Sequence, residues 1–348
     1  MGSLLSYSGI TTKVRAMESH LITDSQFCQM AALETVPDAV EYLRKLPAYE
    51  GVFVNLEPTE LHRGAIEQRL ILSQYQDFAK LYRFSNLTQR KFLDLYFMHY
   101  EIDILKKCFR NSLGHTNPDI DLAVFQDFFE KHSHLDLLKL SACQSLHEFI
   151  SSLEGSVYHS LLANLDDAAN PTLFDYEIHL DLLYFKTIWK VKGKYLSRAE
   201  QKLLTRCFGS KLELLNLQWI YRSKKYYHLK PADICALLIP VNYRLSKEQV
   251  SKMAEAGTLD EFYSILRTTC YGRLEGLDAG EKMDLERLTE DVLDKIHHSC
   301  SRQNPYSIAT LNSYLYFKEV EIQKIITLIE SIRYRVSPEE IVSYVVKQ

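Results

Sequence analysis

The segment Ser145-Leu-His-Glu148-Phe149-Ile-Ser-Ser-Leu153 has the sequence of a helix start. A serine that precedes a helix accepts a hydrogen bond from the backbone N–H three residues on, and a glutamate at that third position can return the bond. Phe149 and Leu153 are four residues apart, so they lie on one face of the helix that follows. The segment therefore predicts a short amphipathic helix that begins after Ser145.

The same pattern occurs twice more in the chain. It is present in residues 38–46, with Asp38 in the capping position, and again in residues 258–266. The aromatic residues of the three copies are separated by 107 and 113 residues, and they are Tyr42, Phe149 and Phe262. A tyrosine follows each copy, at Tyr49, Tyr158 and Tyr271. A spacing near 110 residues indicates an internal repeat.

Two further markers share this period. Acidic residues that follow a Tyr-Phe pair are separated by 110 and 108 residues, and they are Asp103, Glu213 and Glu321. Pro231 and Pro338 each stand where the first turn of a helix is expected, a position in which the missing N–H of proline costs nothing. We therefore expect three repeats, at residues 1–114, 115–224 and 225–348.

Apolar residues recur at helical spacing within the repeats. Ile322, Ile325, Ile326 and Ile329 form an i, i+3, i+4, i+7 stripe, and the stripe of Leu93, Phe97, Tyr100 and Ile104 is similar. The alternation typical of strands between Asn-Gly or Asp-Gly turns is absent. The predicted fold class is all-α. We expect loops near residues 50–60, 113–119, 166–172, 190–197 and 274–284.

Composition and charge restrict the function classes. The 348 residues carry a net charge of −4, so a broad positive surface for nucleic acid is not expected. No apolar run reaches the roughly 18 residues that a membrane-spanning helix needs. The seven cysteines are scattered singly, which is typical of a reducing, cytosolic setting. We expect a soluble protein that does not insert into the membrane.

Four segments resemble the motifs of one known family. Residues 12–18 resemble its R-x-R-A-M opening helix, and residues 96–110 resemble its Y-F…D-I-x-N-L-K…R segment. Residues 214–227 are similar to D-x-x-N-I-x-x-I-x-R-x-K-x-Y, and residues 314–322 to A-Y-L-x-x-K-E-x-E-I. By the order and spacing of these motifs, the chain resembles the C subunit of prokaryotic V/A-type ATP synthases, called the d subunit in eukaryotic V-ATPases.

This resemblance implies a funnel-shaped body built from three pseudo-threefold-related helical repeats. It also implies a non-catalytic rotor subunit that binds the central-shaft subunits of the soluble ATPase sector and the membrane-embedded rotor ring, and that transmits torque between them. Such a protein is a monomer within its complex and carries no cofactor. It is cytoplasmic and associates with the membrane only through the complex. The similarity favours a bacterial or archaeal type of complex.

Sequence signals for chemistry are weak. Neither G-x-x-x-x-G-K-[ST] nor G-x-G-x-x-G occurs, so a nucleotide-hydrolysing subunit is not indicated. A metal site could be considered at His132, His134, Cys143 and His147, but these residues lack the spacing of a closed tetrahedral site. We expect no catalytic, cofactor-binding or metal-binding residue.

Basic residues gather where helices of the three repeats are expected to end. They are Arg110, Arg222, Lys224, Lys225, Arg333 and Arg335. One interpretation is that their charges complement the negative C-terminal end of the helix dipole. The other is that three equivalent basic helix ends contact an acidic partner. The sequence leaves both interpretations open.

Two other functions compete with the rotor subunit. The first is a stand-alone helical-repeat scaffold that binds proteins and has no connection with an ATPase. Such solenoids are built from repeats of about 20–50 residues, whereas the repeats here are much longer. The second alternative is an enzyme, for which the sequence shows no constellation of residues.

Overall fold

The structure, a computed structural model, describes residues 2–54, 56, 61–114, 122–166, 171–273 and 285–346. Its regular structure within these ranges is entirely helical, without a strand, which confirms the all-α prediction. The helices are α1 Gly2–Glu18, α2 Asp24–Ala31, α3 Val36–Arg44, α4 Arg63–Phe84, α5 Leu87–Gly114, α6 Gln126–His132, α7 Leu137–Ala142, α8 Leu146–Ser152, α9 His159–Asp166, α10 Leu173–Tyr195, α11 Arg198–Arg222, α12 Pro231–Leu237, α13 Lys247–Glu255, α14 Leu259–Thr268, α15 Leu285–Gln303, α16 Ile308–Arg333 and α17 Pro338–Val345. A 3₁₀ turn, Leu122–Phe125, precedes α6, and a π-helical turn, Ser223–Tyr227, follows α11. None of the helices in the described ranges has both the length and the apolar character that crossing a membrane requires.

Two of the three predicted helix starts lie where the sequence places them. The Ser145 hydroxyl accepts a hydrogen bond from the Glu148 N–H at 3.2 Å and caps α8, and Thr258 caps α14 through the Glu261 N–H at 3.1 Å. Each glutamate carboxylate accepts a hydrogen bond from the N–H of the residue before the cap, Gln144 at 2.9 Å and Gly257 at 2.7 Å. At the start of each helix, the capping hydroxyl and the glutamate carboxylate each accept one backbone N–H.

The third predicted start was wrong. Helix α3 is capped by Thr35, and Asp38, which the pattern puts in the capping position, lies inside the first turn and donates its N–H to the Thr35 hydroxyl at 3.3 Å. Pro37 explains the difference, since its fixed φ and missing N–H favour the first turn of a helix. The helix consequently begins three residues earlier than expected. Pro231 and Pro338 begin α12 and α17, as predicted.

The chain divides into two compact units. The first combines residues 1–173 with residues 310–348, and the second comprises residues 174–309. In the first unit the predicted isoleucine stripe of α16 joins an apolar core that unites residues 27–70 with residues 322–345. The units are defined by packing, whereas the expected domains 1–114, 115–224 and 225–348 are sequence repeats. Those three domains stay a prediction.

An aromatic cluster forms a second core within the first unit. Tyr75 of α4 stacks on Phe128 of α6 with ring centroids 4.7 Å apart, and Phe97 of α5 lies 5.5 Å from the same Phe128 ring. Offset and edge contacts of this kind add to the free energy that the buried area supplies. The predicted stripe of α5, from Leu93 to Ile104, is buried here.

The second unit is organised around the packing of α11 along α15. Leu288, Val292 and Ile296 of α15 are buried. His297 is also buried, and burial lowers its pKa to about 3, so the ring is neutral at physiological pH. Its neighbour His298 is exposed.

One loop expectation was wrong. Residues 190–195 continue α10, and only Leu196 and Ser197 separate it from α11. The two helices are separate because Ser197 caps the start of α11, in a complete capping box with Glu200. The expected loops at residues 113–119, 166–172 and 274–284 lie largely or wholly outside the described residues, as does much of the one at 50–60.

Candidate functional site

The tyrosines that follow the three helix-start patterns share one kind of interaction. Each donates its hydroxyl to a glutamate: Tyr158 to Glu101 at 2.6 Å, Tyr271 to Glu213 at 2.7 Å and Tyr49 to Glu321 at 2.5 Å. Burial, followed by the charge of the facing glutamate, raises the pKa of all three hydroxyls. They therefore remain protonated donors. We call these three interactions the Tyr–Glu pairs.

The Tyr–Glu pairs connect successive repeats of the sequence. In two of them the glutamate belongs to one predicted repeat and the tyrosine to the next. In the third, the glutamate of the last repeat pairs with the tyrosine of the first. Each predicted repeat thus gives one glutamate and one tyrosine, and the same contact recurs at all three connections.

Glu213 is held mainly by backbone donors. Its Oε1 atom accepts hydrogen bonds from the N–H groups of Tyr243, Arg244 and Leu245 at 2.7, 2.8 and 2.9 Å, while Oε2 accepts from Tyr271. The residue is 1% exposed. A buried carboxylate is costly unless its lone pairs are filled, and four donors fill them here. Glu213 therefore fixes the turn between α12 and α13 onto α11.

Two neighbours of Glu213 on α11 hold the same segment. Gly209 lies one turn earlier, and a Cβ at this position would meet the Tyr243 ring at 2.7 Å, so only glycine admits the ring. Nearly one turn later, the Asn216 side chain exchanges two hydrogen bonds of 2.9 Å with the backbone of Ile239. The helix thus binds residues 239–245 through their main chain.

Glu321 has a different set of donors. Its Oε2 atom accepts the Ile22 N–H at 2.5 Å, and Oε1 accepts both the Tyr49 hydroxyl and the Lys318 ammonium, the latter at 2.9 Å. Lys318 also donates to the Tyr49 hydroxyl at 2.8 Å and lies 3.8 Å from an Asp77 oxygen. The Lys318 side chain is only 2% exposed. Two carboxylates and a hydroxyl therefore compensate one buried ammonium.

Glu101 is held by side-chain donors within the described part of the chain. It accepts from the hydroxyls of Tyr158 and Ser133, and Ser133 in turn accepts the Leu135 N–H at 3.0 Å. Burial raises the pKa of the Glu101 carboxyl, and the two hydroxyl donors and the nearby His134 partly oppose that rise. Glu101 thus holds the segment between α6 and α7 against α5.

Asp103 was the wrong acid to select in the first repeat. It was expected to correspond to Glu213 and Glu321, but Glu101 occupies that role. Residues two positions apart on an α-helix differ by about 200° in direction. Asp103 accordingly lies on another face of α5, where it is half-buried and 3.6 Å from His99.

Of the predicted basic helix ends, Arg222 and Lys224 bind groups of their own unit. Arg222 forms an ion pair with Glu286 at 2.5 Å. The Lys224 ammonium donates to the carbonyl oxygens of Ala254 and Ala256, at 2.7 and 2.5 Å, where α13 ends. Partial burial lowers the pKa of Lys224. Its charge complements a helix dipole, but that of α13 rather than that of its own helix.

Lys225 lies on the exposed side of the same turn. Its ammonium lies over two tyrosine rings, 5.1 Å from the centroid of Tyr221 and 4.9 Å from that of Tyr226. It also forms a hydrogen bond of 2.8 Å with the Tyr221 hydroxyl. That hydrogen bond is the first cause of a raised pKa for Lys225. The charge remains exposed to solvent.

The ends of α11 and α16 have the same backbone design. His228 and Arg335 both have positive φ, 49° and 57°. The residue after each donates its N–H to a serine carbonyl, Leu229 to Ser223 and Val336 to Ser331. Arg333, two residues before Arg335, binds Glu330 and the Leu61 carbonyl. Arg335 is exposed. Arg110, also exposed, lies four residues before the end of α5.

The structure shows no metal-ligand constellation among the described residues, in the sense of three or more His, Cys, Asp or Glu side chains that converge. His132 belongs to the aromatic cluster, with its ring 4.9 Å from Tyr82, and burial lowers its pKa. His147 lies 3.8 Å from Asp166. His132 therefore packs against aromatic rings, and His147 faces a single carboxylate.

The chain is similar to known proteins along nearly its whole length. The "ATP synthase (C/AC39) subunit" family profile matches residues 10–344. The chain is 21% identical to the C subunit of the A-type ATP synthase of Methanothermobacter thermautotrophicus, over 95% of this chain and 85% of that protein. It is 24% identical to the same subunit of Thermococcus kodakarensis, over 97% and 90%. The corresponding protein of Pyrococcus horikoshii is 23% identical, over 96% and 89%. Because the profile spans nearly the whole sequence, the chain belongs to the ATP synthase (C/AC39) subunit family.

Proposed function

We propose that this chain is a non-catalytic central-stalk subunit of a V/A-type rotary ATPase, which links the soluble shaft to the membrane rotor ring and transmits torque. The observation that carries the proposal is the family match over residues 10–344. The three relatives described above are C subunits of A-type ATP synthases and align over most of their length. A subunit that transmits torque from the shaft to the ring must also resist bending.

The internal construction of the units supports such a role. Helices α4, α5, α10, α11 and α16 are 22 to 28 residues long. The three Tyr–Glu pairs tie α5, α11 and α16 to distant segments of the chain. Densely packed interiors have low compressibility and transmit strain. Each unit therefore deforms little under load.

The state of the buried carboxylates supports a role without chemistry. Glu101, Glu213 and Glu321 are engaged by hydroxyl, ammonium and N–H donors that the fold itself provides. A general acid or base must instead reach a proton of the substrate. In the proposed role the chain acts as a single copy at the cytoplasmic surface of the membrane, between the central-shaft subunits and the rotor ring.

Affinity purification from the source organism tests this function. A tagged copy of the chain is recovered from detergent-solubilised membranes, and the co-purifying proteins are identified by mass spectrometry, with untagged cells as the control. We expect the shaft and rotor-ring subunits to be recovered together. Recovery of the chain without either, from cells that contain the assembled ATPase, would exclude the central-stalk position.

The basic helix ends are the contacts proposed toward an acidic partner surface. Lys224 and Arg222 bind groups of their own unit, so their substitution would change folding and partner binding together. Arg110, Lys225 and Arg335 are exposed, and one of them lies near the end of each of the helices α5, α11 and α16. Reversing these three charges therefore tests one position at each of the three helix ends.

Charge reversal at these positions measures the contribution of the helix ends. We expect the triple variant Arg110→Glu, Lys225→Glu, Arg335→Glu to lower recovery of the partner subunits about tenfold, since like charges then face each other. The control reverses three exposed basic residues elsewhere, at Lys45, Lys139 and Arg302. Equal recovery with both triple variants would eliminate the helix ends as contacts and leave the central-stalk proposal standing.

A further inference from the structure

Helices α11 and α15 of the second unit pack side by side and run in opposite directions. Gln218 of α11 donates a hydrogen bond to Thr289 of α15 at 3.2 Å. Arg206, which comes earlier in α11, donates to Ser299, which comes later in α15, also at 3.2 Å. A residue nearer the start of α11 therefore faces one nearer the end of α15. This antiparallel register decides which side chains of the two helices meet.

The register places two cysteines opposite each other. Cys207 lies 11 residues before Gln218, and Cys300 lies 11 residues after Thr289. Eleven residues are close to three helical turns, so each cysteine lies on the same face of its helix as that reference residue. The contact is direct, since the Cys207 thiol donates a hydrogen bond to the Cys300 sulfur. Both cysteines are free thiols in the structure.

The hydrogen bond makes Cys300 the more acidic kind of thiol. It is the main cause that lowers the pKa of Cys300 to about 7, with burial opposing this effect and the charge of Arg206 adding to it. Burial has the opposite result at two other cysteines, since it raises the pKa of Cys270 and brings that of Cys108 to about 12. The thiolate is the nucleophile in thiol oxidation, so Cys300 is the attacking member of the pair.

We propose that Cys207 and Cys300 form a reversible disulfide when the chain meets hydrogen peroxide, and that this bond fixes α15 on α11. The Cys300 thiolate attacks one peroxide oxygen, the O–O bond breaks, and the products are a sulfenic acid and, after protonation of the released hydroxide, water. The Cys207 thiol then attacks the Cys300 sulfur. The S–S bond forms, the S–O bond breaks, and the departing hydroxide takes the thiol proton to give a second water. The two sulfurs lose two electrons and the peroxide gains them.

Burial of the pair selects a small oxidant. Cys207 is 2% exposed and Cys300 0% exposed, so a bulky disulfide has no direct access to either sulfur. Hydrogen peroxide is close in size to water, and Cys300 lies three residues before the end of α15, where helices fray. Disulfides that form in a reducing setting are usually transient and redox-sensing. The inference thus adds a regulatory modification to the central-stalk function and can be tested on the purified chain.

The first experiment maps the thiols of the wild-type chain. The purified full chain is treated with hydrogen peroxide, unfolded in N-ethylmaleimide to block the remaining thiols, and digested with trypsin. Trypsin releases Cys207 in residues 207–211 and Cys300 in residues 296–302, and neither peptide has another cysteine. Mass spectrometry should show the two peptides linked at least about tenfold more often than in an untreated sample, and dithiothreitol should separate them.

Two results of this map would overturn the proposal. One is N-ethylmaleimide on both cysteines to the same extent as in the untreated sample. The other is oxidation of Cys300 to a sulfinic acid, or its linkage to a cysteine other than Cys207. Because the map needs no substitution, it tests the bond even where a variant fails to fold.

The second experiment measures whether the bond fixes the two helices. Both tryptophans lie in residues 174–309, so tryptophan fluorescence follows the urea unfolding of the second unit. A link between distant positions restricts the unfolded chain, so peroxide should raise the urea midpoint by about 1 M, and dithiothreitol should reverse the shift. A linked chain with an unchanged midpoint would refute the fixing of α15 on α11.

Cysteine variants assign the shift to this pair. Cys300→Ala and Cys207→Ala each remove one of the two sulfurs, so in either variant peroxide should leave the midpoint unchanged. Cys270→Ala is the matched control, because Cys270 is a half-buried cysteine of the same unit outside the pair, and it should keep the wild-type shift. A shift of wild-type size in Cys300→Ala would assign the stabilisation to another oxidation product and contradict the proposal.

Discussion

Glu213 and Glu321 are buried to nearly the same degree and bind the same kind of tyrosine, but they differ in their other donors. Glu213 receives three consecutive backbone N–H groups from a turn that follows it by 30 to 32 residues. Glu321 receives one N–H, from Ile22, and the buried ammonium of Lys318. The difference shows that the main chain of a single turn can supply three of the four donors to a buried carboxylate. A contact between the two ends of the chain uses a second charged side chain.

The largest expected effect comes from removing that side chain. Lys318→Met leaves the buried Glu321 without its cation, and breaking a buried pair from one side costs about 3–5 kcal/mol. Urea unfolding followed by circular dichroism measures the loss. Both tryptophans lie in residues 174–309, so tryptophan fluorescence follows the second unit separately. We expect the dichroism transition of the first unit to move.

The control for Lys318 is Lys252→Met. Lys252 pairs with Glu248 at 2.8 Å on the surface of α13, and exposed pairs contribute little. Its unfolding midpoint should stay at the wild-type value. If Lys318→Met were as stable as this control, the ammonium would not support Glu321, and the contrast with Glu213 would disappear.

The tyrosine hydroxyls should have an intermediate effect. Each of Tyr49→Phe, Tyr158→Phe and Tyr271→Phe removes one donor from a buried carboxylate, and hydrogen bonds to charged groups contribute about 1.5–3 kcal/mol. Tyr271→Phe should move the fluorescence transition of the second unit, and the other two the transition of the first. Tyr344→Phe is the control, because the Tyr344 hydroxyl bonds Glu340 on the surface. A variant that matched this control would mark its Tyr–Glu pair as dispensable.

The smallest expected effect is a pH dependence at Glu101. Burial raises the folded-state pKa of this carboxyl above the ordinary value of 4.5, so the folded protein holds the proton more tightly than the unfolded chain. Its favourable contribution is therefore complete below the unfolded pKa and is lost as pH rises through the folded pKa. Glu101→Gln is neutral at every pH and removes the dependence.

Unfolding free energies of the wild type and Glu101→Gln, measured from about pH 4 to pH 7.5, test this sign. We expect the stability advantage of the wild type over the variant to shrink as pH increases. An advantage that grew with pH would mean that the hydroxyls of Tyr158 and Ser133 outweigh the burial of the carboxylate.

Local features of the fold could be predicted from the sequence. Ser145, Thr258, Pro231 and Pro338 act within one helical turn of themselves, and the helix starts they predict were confirmed. The helix start predicted at Asp38 was wrong because Pro37, beside it, favours an earlier start for α3. The spacing of the three tyrosines predicted a repeat.

Their glutamate partners could not be predicted in the same way. The partners are 57, 58 and 272 residues away, and a period read to within two residues does not separate Glu101 from Asp103. Lys224 shows a related limit, because the sequence places a cation at a helix end but does not show that the carbonyls it binds belong to another helix. Those contacts depend on tertiary packing, which no local pattern encodes.

The pairing of Tyr49 with Glu321 has a consequence for synthesis on the ribosome. Tyr158 and Tyr271 can meet their glutamates within about 60 residues of translation, whereas Tyr49 must wait for 272 more residues. At about 5–20 residues per second, that wait is roughly 14–54 s. During this interval the apolar residues of α2 and α3 lack their α16 partner. The nascent amino-terminal segment is therefore the part of the chain that a chaperone must protect longest.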